Sequence, residues 1–188
     1  WTNGTTLYNG DIISTAGSSS GTIAFSDSSI IRLNELSTVE LQVWENEDGE
    51  AIAQIILNNW DLWWRVLTNT GMNVWAGGYI AWVRGTSVAV QKSGNNVTIT
   101  IVDSTNSSNN AVKVYYEWQE ATGENVGTGT QISVQSGTYL ADIPVATPGK
   151  VAIFTDNEWA RRNTLQDMQY MLTLQNTSLE LERMEKVK

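Results

Sequence analysis

Five tryptophans, Trp60, Trp63, Trp64, Trp75 and Trp82, fall within twenty-three residues of a chain that has nine in all. Asp61 lies inside this cluster and Arg84 two residues past its end. An exposed indole beside Asn, Asp or Arg suits sugar recognition or a protein hot spot, because its ring is apolar and its N–H is a donor. Trp60, Trp63, Trp64, Trp75, Trp82 and Arg84 are therefore the candidate ligand contacts. The competing reading makes the tryptophans large fillers of a β core. Side chains alternate along a strand, so adjacent Trp63 and Trp64 must face opposite ways. The expectation is one of them in the core and the other at a surface or edge.

Much other chemistry is excluded by residue type. The chain has no His and no Cys. That removes Ser-His-Asp triads, cysteine nucleophiles, disulfide frameworks, thiolate metal sites and the commonest zinc sites. Glycoside hydrolysis by two carboxylates is the main enzyme class left, and Asp61 beside the tryptophans is its one suggestive residue. The acidic run Glu45–Glu50 lacks the alternation of a calcium loop and reads as a solvated hairpin turn. No phosphate-binding glycine loop, nucleophile elbow or metalloprotease helix is present. The expectation is a protein without catalytic residues, metal or cofactor.

The elements that hold these residues are short strands. Ser, Thr and Asn make up 54 of 188 residues, a bias that favours strands and turns over helices. Period-two patterns run through Ile12–Thr15, Thr22–Phe25, Ile30–Leu33, Val39–Trp44 and Ala51–Leu57. The clearest hairpin joins Val88–Gln91 to Val97–Ile101 across Lys92–Asn96, with Val97, Ile99 and Ile101 on one face and threonine hydroxyls on the other. Val112–Tyr116, Gln131–Val134, Tyr139–Ile143 and Val151–Phe154 continue the pattern, with Pro144 and Pro148 interrupting it. From Thr155 to Lys188 no Gly or Pro occurs, Asp156 or Asn157 can cap a helix, and Glu158 suits its first turn. Leu165, Met168, Leu172 and Leu179 form one apolar stripe, and Met171, Leu174, Leu181 and Met184 an offset second one. A double stripe suits a helix that packs on the β-domain at its start and on another surface beyond, with Asn176–Ser178 as a weak point. The fold class is thus mainly β: a two-layer or short solenoid-like wrap of about ten to twelve short strands over 1–155, and a C-terminal α-helical tail over 156–188.

Charge constrains the partners. Residues 1–155 carry fourteen acids and six bases, and the whole chain carries a net −9, which disfavours nucleic acid and anionic membrane surfaces. No run approaches the roughly 18 apolar residues of a membrane helix. Trp at position 1 predicts a processed or trimmed product, with any signal peptide or anchor upstream, and a cysteine-free, Ser/Thr/Asn-rich chain fits an exported bacterial β-protein.

The order of segments resembles the FecR domain, the extracytoplasmic β-domain of iron-signalling anti-sigma regulators. Gly10-Asp11-Ile12-Ile13-Ser14-Thr15 resembles the family's opening. Phe25–Leu33 resembles its aspartate turn and strand, with Ser28 where glycine is usual. Trp64-Arg65-Val66 is similar to the middle segment, and Val83-Arg84-Gly85-Thr86 to the Val-Arg-Gly-Thr core. Val97–Asp103, Val112–Val114 and Gly129–Val134 resemble the closing strands, although Ser104 replaces a usual glycine and the loop to Asn110 is expanded. The likeness spans roughly residues 8–145 and omits the sigma-binding segment and membrane helix of a full regulator, so it implies the fold more than the regulatory role. Within it, Gly85 reads first as a tight corner or bulge, with Arg84 bracing the corner rather than binding an anion.

Three functions follow. The first expectation is a non-catalytic, exported binding or scaffolding module of the bacterial cell envelope. It would contact an envelope protein, or a second copy through the C-terminal helix. The alternative is a carbohydrate-binding module that reads glycan with the tryptophans. A further alternative is the extracytoplasmic signalling domain of an anti-sigma type regulator.

Overall fold

In the computed structural model, residues 2, 4–45, 51–67, 72–94, 96–104, 112–116, 124–126, 131–135 and 158–186 are described. The chain divides into two compact units, Trp1–Val151 and Ala152–Lys188.

The first unit contains twelve strands among the described residues: β1 (Ile12–Ser14), β2 (Gly21–Ala24), β3 (Ile30–Leu33), β4 (Thr38–Glu45), β5 (Ala51–Arg65), β6 (Met72–Ala76), β7 (Tyr79–Val83), β8 (Thr86–Ser93), β9 (Asn96–Ser104), β10 (Val112–Tyr116), β11 (Glu124–Val126) and β12 (Gln131–Gln135). The mainly β expectation holds. Tyr139–Ile143, Val151–Phe154, the prolines, the acidic run beyond Glu45 and the helix-cap candidates lie outside the described residues.

β5 organises the fold because it serves two sheets. Its first half pairs with β4 antiparallel and with β6 parallel, in a ladder ordered β1-β4-β5-β6-β7-β10-β11. Its second half pairs with β3 and β8, both antiparallel, in a ladder ordered β2-β3-β5-β8-β9-β12. Ile55, Leu57, Val74 and Ala81 from the first ladder join Ile31, Leu33, Leu62, Trp64, Val88, Val90, Ile99 and Ile101 from the second in one buried core. Two sheets sharing one core form the two-layer arrangement, and alternate side chains supply its inner faces.

At two of the points where the chain changes sheet, inside β5 and between β7 and β8, the backbone is left-handed. Trp60 has φ +64° where β5 passes from one ladder to the other. Gly85 has φ +50° between β7 and β8. The corner expected for Val83-Arg84-Gly85-Thr86 is thus real: β7 belongs to the first ladder and β8 to the second. A register irregularity follows between Ser87 and Val88. The β6–β7 hairpin turns on Gly77 (φ +60°) and Gly78 (φ +91°), the backbone a two-residue hairpin demands.

The aspartate turn before β3 is built on side-chain hydrogen bonds. Asp27 accepts from the Ser29 amide at 2.8 Å and from the Ser29 hydroxyl at 3.0 Å, the local bonding that makes Asx residues turn formers. The buried Ser29 Oγ also accepts from the Leu67 amide at 3.1 Å, tying the turn to the end of β5. Ser28, where the family usually has glycine, has φ +68°. A side chain in this region costs about 1 kcal/mol that glycine does not. Ser28→Gly is expected to raise stability by up to about 1 kcal/mol, read as a higher urea midpoint at unchanged slope.

The structure corrects two expectations. Thr100 in β9 is fully buried, so the hydroxyl face of that strand is covered there rather than solvated. The helix, α1 (Glu158–Lys186), runs unbroken through Asn176–Ser178. Thr173 and Thr177 donate their hydroxyls to carbonyls four residues back, both at 3.0 Å, and so do not compete for the helical amides. Leu165, Met168 and Leu172 of the first stripe are exposed.

Candidate functional site

The fold scatters the tryptophans instead of assembling one platform. Trp63 and Trp64 are both fully buried, against the expectation that one reaches a surface or edge. They do face opposite ways: Trp64 lies in the shared core with Ile31, and Trp63 lies between Arg32 and Ala89 on the other face of the second sheet. That other face is covered too, since Ile30, Arg32, Arg65, Ala89 and Thr100 are all buried. A strand covered on both sides carries large apolar residues on both. Neither indole has surface left for a ligand.

Trp75 and Trp82 belong together. Trp75 pairs with Ile80 and Trp82 with Asn73 across β6 and β7, which makes the indoles diagonal neighbours on the outer face of the first sheet. Both are partly buried against the core. The exposed Arg84 holds its guanidinium 4.1 Å above the Trp82 ring. Its cation thus braces the corner by stacking on an aromatic face, a contact the residue order alone does not reveal. Arg84→Ala is expected to leave the fold intact and to lower stability by at most about 1 kcal/mol, measured by urea unfolding.

Beside these indoles runs a polar row that the sequence reading missed. Gln42, Gln54, Asn73, Trp82 and Lys113 are successive cross-strand partners over five strands. Gln42 donates to Glu40 at 2.9 Å, and Gln54 donates to Gln42 at 3.3 Å. The buried Gln54 Oε1 and Asn73 Oδ1 have no hydrogen-bond partner among the described residues. Amides two strands apart cannot be linked from spacing in sequence; only the pairing register aligns them.

Trp60 stands apart, paired with Lys92 at the sheet change and 47% exposed. Next to it, Asp61 accepts from the Asn34 and Gln91 amides, both at 3.3 Å. Desolvation holds the Asp61 pKa above its ordinary 3.8, with those two hydrogen bonds working against the shift. The folded state therefore binds this proton more tightly than the unfolded chain. The contribution to stability is fully present below pH 3.8 and is lost as pH rises through the higher folded-state value. Asp61→Asn should gain stability relative to the parent between pH 3.5 and 7, when urea midpoints of the two proteins are subtracted at each pH. An unchanged difference would show that Asp61 titrates normally.

The arrangement offers, among the described residues, partly exposed aromatic surface and no assembled reactive group. Among the described residues no cluster of three carboxylates is placed to hold a metal, and no helix is long and apolar enough to cross a membrane.

No curated protein matches the chain significantly. Two crystal structures of a candidate anti-sigma factor from Parabacteroides distasonis ATCC 8503 share its fold. The one at 1.65 Å has 14% identity and a TM-score of 0.56, covering 77% of this chain and 64% of that one. The one at 2.50 Å has 14% identity and a TM-score of 0.55, covering 76% and 62%. The chain thus spans less than two thirds of either neighbour. The model of the FecR protein family matches residues 11–105, from the opening Asp11 through the Gly85 corner to the end of β9, and the chain belongs to the FecR family.

Proposed function

We propose that this chain is the signal-receiving β-domain of a FecR-like regulator, extracytoplasmic and non-catalytic, which acts through protein contacts. The family match over residues 11–105, on a fold shared with candidate anti-sigma factors, carries the reading. The site geometry is consistent with it. The side chains with surface to offer, Trp60, Trp75, Trp82 and Arg84, suit recognition, and the buried Trp63 and Trp64 suit a scaffold. This reading favours the signalling role over the envelope scaffold expected first. The partner is a protein of the same signalling system, and the exposed Leu165, Met168 and Leu172 of α1 are a second surface for it or for another copy.

Transcript profiling tests the proposal. A strain lacking the gene should differ from its parent at a discrete set of promoters by several-fold, with restoration by the intact gene. An unchanged transcriptome alongside an altered envelope would overturn the regulatory role and return the scaffold reading.

A further inference from the structure

Between the N-terminal segment and the first two strands lies a cavity of about 520 Å³, within the range of small-molecule sites. Its apolar side chains are Leu7, Ala16, Ile13, Ile23 and Leu33, the last three from β1, β2 and β3. The rest of the wall is almost entirely hydroxyl and backbone, and none of the lining residues is charged.

The hydroxyls divide by their bonding. Ser14 bonds the Thr38 hydroxyl at 3.1 Å, Thr15 donates to the Asn34 carbonyl, and Ser19 donates to the Ala16 carbonyl at 2.7 Å. These hold the wall in place. Thr2 and Thr5 close on each other at the other side. The Ser20 hydroxyl makes no hydrogen bond among the described residues and keeps both donor and acceptor capacity.

We propose that this cavity is a binding site for a neutral saccharide of one or two rings. A pyranose has an apolar C–H face and a rim of hydroxyls, which suits an uncharged wall of aliphatic side chains interspersed with hydroxyl and backbone groups. A charged sugar finds no counter-charge in the lining, and it would lose hydration without compensation. The site lies away from Trp75, Trp82 and Arg84, and it stands whether or not the chain regulates transcription.

Gly21 provides the control. A Cβ there would lie 3.5 Å from Thr15 Cγ2 and 3.9 Å from Leu33 Cδ1, in ordinary contact with two lining side chains and with no backbone obstacle. Gly21→Val therefore narrows the cavity without a demand on φ. The test is a proton–nitrogen NMR titration of the whole 188-residue chain with glucose, N-acetylglucosamine and maltose, with glucuronate and glucose 6-phosphate as charged controls. At least one neutral sugar should shift the amides of residues 14–23 at millimolar concentration. Binding should weaken at least tenfold in Gly21→Val, and several-fold in Ser20→Ala, whose exposed position makes it safe for folding. Absence of localised shifts with every neutral sugar would overturn the proposal. So would equal binding of the charged sugars, or unchanged affinity in a folded Gly21→Val or Ser20→Ala protein.

Discussion

Trp64→Ala is expected to lower the unfolding free energy by about 3–5 kcal/mol, and Trp64→Phe by only about 1–2 kcal/mol. The alanine figure follows from complete burial. The indole lies in the shared core and stacks on Phe25 with ring centroids 6.1 Å apart and planes 20° from parallel. Removing it leaves a void bounded by both sheets, and the pairing of β5 with β3 and β8 limits collapse of that void. Phenylalanine keeps most of the stacking. It also removes Nε1, a buried donor with no partner among the described residues, whose desolvation already costs the folded protein about 1–3 kcal/mol. Chemical denaturation of the two variants separates these effects. A phenylalanine variant as unstable as the alanine one would mean that the indole N–H is satisfied in solution.

Trp63→Ala is expected to cost as much, about 3–5 kcal/mol, although only one of the two indoles can face the shared core. In a sheet with one wet face, the outward residue would tolerate truncation with a loss below about 1 kcal/mol. Trp63 is instead flanked by Arg32 and Ala89 on a face where these residues are themselves buried. The comparison of Trp63→Ala with Trp64→Ala thus reads out whether the second sheet is covered on both sides. Equal losses support two-sided burial, and a near-neutral Trp63→Ala would refute it. A small domain holds about 5–15 kcal/mol in reserve, so the double variant should not fold at ordinary temperature.

Both experiments bear on function through what they remove from it. Indoles that support the core are unavailable to a ligand, so the contacts proposed for this chain are left to Trp60, Trp75, Trp82 and Arg84. Trp60 carries a further cost, because a bulky residue at φ +64° is strained. It is also the one member of the cluster counted among the exposed large apolar side chains.

Several features of this protein are local and so were legible in the sequence. Alternation of Val97, Ile99 and Ile101 with threonines needs only the two-residue repeat of a strand, and these three residues do lie in the core. The absence of Gly and Pro after Thr155 suffices for the long helix. The motif around Gly85 implied a corner because only glycine adopts that backbone freely, and the same logic makes Ser28 visible as a departure. Family membership rested on the order of such motifs.

Tertiary structure decided the rest. Asn58 and Asn59 look like the end of a strand, yet β5 continues through them because two different sheets hold its two halves. Alternation fixed that Trp63 and Trp64 diverge, but burial of both depends on what covers each face. The row from Gln42 to Lys113 and the cavity behind β1 and β2 arise from how separate strands pair and pack, whereas the diagonal pair Trp75 and Trp82 follows from the local β6–β7 hairpin. Periodicity states which residues share a face of one strand; only the assembled sheets state which faces meet and which remain open to a partner.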